Sequence, residues 1–212
     1  MDRPTDGPAA YYQAQGLRQR VRELVSAKDQ IGQAETAVET ALAGTDAIES
    51  LTSHLKGLAL PVKGGSAAER QAAAEQFDVI RNQITALAND VSFNGVALVA
   101  ETPGRLDVNL DGKGGPDLTV DGHAAGAAGL GIGSAATDYN NFATDADIDA
   151  AVAKLNTAVT TVRNFAADFG TDLATLTIRD RFNQDLTNTI GEGTAKLVEA
   201  DLNVEAVRAL AA

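Results

Sequence analysis

Apolar positions set the frame of this chain. From about residue 8 to residue 60 they recur at spacings of three and four, or at sums of these: Leu17, Val21, Leu24, Ile31, Val38, Leu42, Ile48, Leu51, Leu55 and Leu58. That spacing marks one face of an α-helix. Asp6-Gly7-Pro8 supplies a start, with a turn residue ahead of a proline in the first turn, where its missing N–H costs nothing. Pro61 and Gly64-Gly65-Ser66 end the pattern. The prediction is a single helix of about 50 residues, roughly 75–80 Å long at about 1.5 Å per residue.

A second helix is expected from Ser66, because Ser66 and Glu69 form a capping-box pair. Its seam is Phe77, Ile80, Ile84, Leu87 and Val91, and Phe93-Asn94-Gly95-Val96 then breaks it with an Asn-Gly turn signal. Further on, Leu106, Val108 and Leu110 alternate with polar residues, as do Leu118 and Val120. This period of two predicts a short β-hairpin around a glycine-rich loop. Residues 124–133 are so rich in glycine and alanine that they are expected to bury little.

The longest regular pattern lies in the last third. Ile148, Val152, Leu155, Val159, Val162, Ala166, Phe169, Leu173 and Leu176 step by four and three in turn, a 3.5-residue repeat that makes a supercoiling seam. It continues less strictly through Phe182, Leu186, Ile190, Leu197 and Val207, across Gly191 and Gly193. The fold expected is mainly α: an elongated antiparallel helical bundle or coiled coil with a small β-hairpin inserted at one end. Residues 1–100 form its first helical part, 101–144 the glycine-rich hairpin and loop, and 145–212 its second helical part.

Composition narrows function by exclusion. The 212 residues carry 17 Lys and Arg against 29 Asp and Glu, a net charge of −12, with no clustering of basic residues to draw in nucleic acid or an anionic membrane. No cysteine is present, so disulfides, thiolate chemistry and Cys-ligated zinc are excluded. No apolar run is long enough to span a bilayer, and Met1-Asp2-Arg3-Pro4 does not open a cleaved signal peptide.

Candidate chemistry reduces to decoys. Asp107-Val108-Asn109-Leu110-Asp111-Gly112 matches the first half of a helix-flanked calcium loop, but Leu118 stands where a bidentate Glu is required and the flanks are strands. The plain reading is a hairpin with turn-forming Asp and Asn. His54 and His123 lack a second ligand at helical spacing, so no metal site is expected. Asp145, Asp147 and Asp149 stand where a helix begins, and the helix dipole accounts for negative charge there. Asp180 and Asp185 show no sign of the concave pocket that acid–base work needs. No catalytic residue, cofactor or metal is expected.

Four segments resemble bacterial flagellins, in particular those of alphaproteobacteria. They are Asp6-Gly7-Pro8 running into the first helix, Phe93-Asn94-Gly95 at the end of the second, Ala128-Gly129-Leu130-Gly131-Ile132 after the hairpin, and Asp201, Asn203 and Glu205 within Ala200-Asp201-Leu202-Asn203-Val204-Glu205. They occur in the family's order along the whole chain. The resemblance implies a core helical domain without the family's two terminal helices, monomeric in that trimmed form. It also implies a non-enzymatic, self-assembling filament subunit for swimming, located outside the cell in the flagellum. Other flagellin subunits, an export chaperone and hook-associated proteins would be its partners. Other readings of the same chain are a hook–filament junction protein, a flagellin-like adhesin or carbohydrate-binding surface protein, and an intracellular coiled-coil adaptor.

Overall fold

The structure, a computed structural model, describes residues 8–114 and 118–210. Three long helices and one two-stranded antiparallel sheet make up the fold. Helix α1 (Pro8–Ala59) runs for 52 residues and passes through a 3-10 turn at Leu60–Val62. Helix α2 (Ala67–Asp90) starts at the expected capping box: the Ser66 hydroxyl accepts from the Glu69 N–H, and the Glu69 carboxylate accepts from the Ser66 N–H. Strands β1 (Arg105–Val108) and β2 (Leu118–Asp121) form the hairpin, and helix α3 (Asp145–Leu210) is a single span of 66 residues. Gly191 and Gly193 do not interrupt it. Leu110 lies beyond the end of β1 although it is buried. Asp6, Gly7 and the side chains of Asp201, Asn203, Glu205 and Val207 lie outside what the structure describes.

The chain groups into two compact units. The larger comprises Ala34–Leu106 and Thr119–Ala174, and pairs the second half of α1 with α2 and the first half of α3. There Lys63–Asp149 (2.6 Å), Lys56–Asn156 (2.8 Å) and Arg163–Glu49 (2.6 Å) advance seven residues at a time in opposite directions along α1 and α3. This is the ladder of an antiparallel heptad pairing. An aromatic cluster closes the unit, with Phe77 edge-on to Phe142 (5.3 Å) and to Tyr139 (6.1 Å).

The smaller unit comprises Met1–Gln33, Asp107–Leu118 and Thr175–Ala212. Arg20 donates to the Asp111 carbonyl (2.7 Å), buried Asn183 donates to the Leu110 carbonyl (2.8 Å), and Lys28 reaches Gln184 and Asp180. Gly112 is required here: its φ is +73°, and a Cβ would lie 2.4 Å from the Glu23 carbonyl oxygen.

Two expectations are corrected. The 124–133 loop does bury surface: Ala125, Ala127, Leu130 and Ile132 are all within the core. Polar side chains of α2 satisfy the loop's backbone, which lets small residues seat there without loss of hydrogen bonds. In α3, Phe182 is exposed, and its neighbour Asn183 takes the seam position. Past Leu176 the positions Asp180, Asn183, Thr187 and Thr194 on this register are polar and Ile190 and Leu197 apolar, so Phe182 and Leu186 lie one position off the stripe.

Candidate functional site

The most elaborate local geometry lies where α2 meets the chain after the hairpin. Helix α2 stops at Asp90, and Phe93 and Val96 exchange two backbone hydrogen bonds (3.0 and 2.9 Å) around Asn94 (φ +49°) and Gly95 (φ +80°). Positive φ at both central residues is the I′ hairpin geometry that Asn-Gly favours. From α2, Asp78 accepts from the backbone of Ala135 (2.7 Å) and Ala136 (3.2 Å) and from the Ser134 hydroxyl (2.8 Å). Arg81 donates to the Ile132 carbonyl (2.8 Å), and the Thr85 hydroxyl accepts from the Ala127 N–H (3.1 Å). One face of α2 therefore serves as a template for the loop.

The chain leaving β2 is anchored to α3 through His123. Its ring stacks on Phe165 at 4.3 Å and 7°, meets Phe169 edge-on at 5.3 Å, and places Nε2 3.4 Å from Asp168. Thr119, Asp121, His123, Asp168 and Asp172 line an open notch of about 230 Å³. Burial first, then the charges of Asp168 and Asp121, push the Asp172 carboxyl above its ordinary range, with His123 opposing. Sequence reasoning left His123 without a role. Its i, i+4 aromatic partners Phe165 and Phe169 were readable in α3, but their meeting with a distant loop was not.

The remaining candidates are structural in their contacts. In the calcium-loop decoy, the Asn109 side chain accepts from the N–H of Asp111 (3.2 Å) and Gly112 (2.6 Å), and Asp111 accepts from that of Lys113 (2.7 Å). Those oxygens cap the loop's own backbone. His54 is exposed. At the start of α3, Asp147 accepts from the Thr144 hydroxyl (2.7 Å) and N–H (2.8 Å), and Asp145 accepts from Gly64 N–H (3.0 Å) and Arg70 (2.5 Å). Those bonds hold both carboxyls below their usual range, led by the Thr144 hydroxyl for Asp147 and the Gly64 N–H for Asp145. Among the described residues, no group of three or more His, Asp or Glu is placed to hold a metal ion.

Of the seam residues, Phe77, Ile80, Ile84, Ile148, Leu155, Val162, Phe169 and Leu176 are buried, whereas Leu87, Val152, Val159 and Leu173 are half-buried. Alanines complete the buried stripe, with Ala151 and Ala158 in α3 and Ala27, Ala34 and Ala41 in α1.

Comparison with known proteins agrees with this architecture. Residues 1–103 match the bacterial flagellin N-terminal helical region. Flagellins FljM and FljK of Caulobacter vibrioides are each 28% identical to the chain, over 96% of its length and 73% of theirs. On both counts the chain is similar to bacterial flagellins. Its fold is also that of Bacillus cereus flagellin, with a TM-score of 0.62 at 19% identity, over 73% of this chain and 88% of that one. The contacts of α2 and of His123 fix the chain around the hairpin onto long helices. No described helix is long and apolar enough to cross a membrane.

Proposed function

We propose that this chain is a structural subunit of the bacterial flagellar filament, assembling outside the cell with other flagellin subunits. The observation that carries this reading is the match to Caulobacter flagellins over 96% of the chain, together with the likeness in fold to Bacillus cereus flagellin. Long helices with extended lateral faces suit the role, because contacts between unlike patches repeat without closing and so build helical fibres. In this reading residues 1–100 and 145–212 are the two helical arms, the seam from Phe77 to Leu87 and from Ile148 to Leu176 holds them together, and 101–144 is the inserted hairpin. An export chaperone and hook-associated proteins complete the set of partners. An adhesin would need an aromatic binding face, and the large aromatic side chains exposed among the described residues are Tyr12 and Phe182.

The test is polymerisation, followed by light scattering and electron microscopy. The chain would be measured as it stands and with the FljK segments outside the aligned region appended, both seeded with Caulobacter filament fragments. Elongation by the extended protein is expected. Failure to elongate where FljK does so would overturn the reading.

A further inference from the structure

On α3, Ile178 (67% exposed) and Phe182 (53%) stand one turn apart on one face. Arg179 and Arg181 border them, both exposed and, among the described residues, without a hydrogen bond or ion pair. Asp185 ends the patch one turn further on, which leaves it net positive. Large apolar side chains with Arg beside them are the composition of an interface centre rather than of free surface.

Among the described residues, the other exposed large apolar side chains are Tyr12, Val25, Leu60 and Val79. Their neighbours at helical spacing separate them. Val25 lies beside Arg22, Lys28 and Asp29, Leu60 lies between Lys56 and Lys63, and Tyr12 has only neutral neighbours. Val79, on α2 and 57% exposed, has Glu75 one turn before it and Asn82 and Gln83 one turn after. It is the one with an acidic neighbour and no basic one. Glu75 is exposed, and its contact is with Gln71 on its own helix. The larger unit that contains it holds sixteen acidic residues against seven basic ones.

We infer that the Ile178–Phe182 patch of one copy docks on the Val79–Glu75 face of α2 in a second copy, with Arg179 or Arg181 meeting Glu75. Donor and acceptor patches differ, so the contact is heterologous and propagates. The inference rests on the filament reading and names one of the faces through which subunits would meet.

The absence of cysteine makes the test direct. Chains carrying F182C and V79C are mixed in oxidised glutathione, beside the control mixture of F182C with L60C. The contact predicts that F182C–V79C disulfides form about tenfold faster than F182C–L60C or F182C–F182C disulfides. Placing R179E and R181E in the F182C chain should abolish that preference, and adding E75R to the V79C chain should restore it. All these side chains are exposed, so circular dichroism should show unchanged helix content. Equal rates in all mixtures, or a preference untouched by charge reversal, would overturn the contact. Filament growth without the preference leaves the filament reading standing and removes this contact. The preference without filament growth supports the contact and removes the filament reading.

Discussion

Asp172 carries a local cost at neutral pH. Its carboxyl is raised above the ordinary 3.8 by burial, Asp168 and Asp121. An acid whose folded pKa is raised adds stability at low pH and loses it as pH rises through that folded value. D172N removes the repulsion, so its melting temperature should exceed that of the parent at pH 7 and converge with it as pH falls through the carboxylate range. The gain should stay below about 1 kcal/mol, because most of the group faces solvent. A lower melting temperature at pH 7 would show that the charge is stabilising after all. Asp145 and Asp147 run the opposite way, their depressed values adding stability that is lost as pH falls below the ordinary 3.8. Beside this notch, Phe169 is fully buried against His123. Urea unfolding of F169A should show a loss of about 3–5 kcal/mol, and a loss below about 1 would mean that the ring is not part of the core. Asn94-Gly95 and Ser66/Glu69 were legible in the sequence because each is a local device within four residues. The Asp78 and His123 contacts were not, because each joins residues more than forty positions apart.

At the level of the helix, what matters is which position of each heptad meets the partner. In α1 the buried stripe runs Leu24, Ala27, Ile31, Ala34, Val38, Ala41, Thr45, Ile48, Thr52, Leu55, Ala59, in strict alternation of three and four. Large apolar residues alone reveal only part of it, since Ala and Thr occupy many of the remaining positions and do not stand out in an alanine-rich chain. The same substitution of size explains α3, where Ala151 and Ala158 are fully buried and Val152 and Val159, one residue on, are only half-buried. Small residues allow two helices to approach closely, and adding volume there forces them apart. A158L should therefore cost about 1–3 kcal/mol in denaturant unfolding, as overpacking does. V159A, which trims a half-buried side chain, should cost less. A reversed order would place the seam on the valines. The existence, number and approximate ends of the helices were legible because periodicity survives such substitutions, while the facing position within each turn depends on the partner's shape.

Across the whole molecule, the two units differ in what fills the inner stripe of α3. In the larger, α3 presents Ile148, Ala151, Leu155, Ala158, Val162 and Phe169; in the smaller, the register after Leu176 falls on Asp180, Asn183, Thr187, Ile190 and Thr194. Asn183 is buried and bonded to Leu110, but the Thr187 hydroxyl is buried without a partner among the described residues, and Gly191 and Gly193 add no side-chain packing. Sequence order could not reveal this grouping, because each unit is assembled from stretches far apart in the chain. Fewer buried apolar atoms per turn lower the free energy of local opening. Amide hydrogen exchange should therefore be at least about tenfold faster across residues 177–197 than across 148–173, a difference of about 1.4 kcal/mol in opening free energy. N183A sharpens the prediction. Removing the side-chain donor takes away the bond that ties Leu110 to α3, so exchange should accelerate together at residues 108–113 and 177–197, while 148–173 keeps its protection. Uniform protection along α3 in the parent chain would mean that the polar seam packs as firmly as the apolar one.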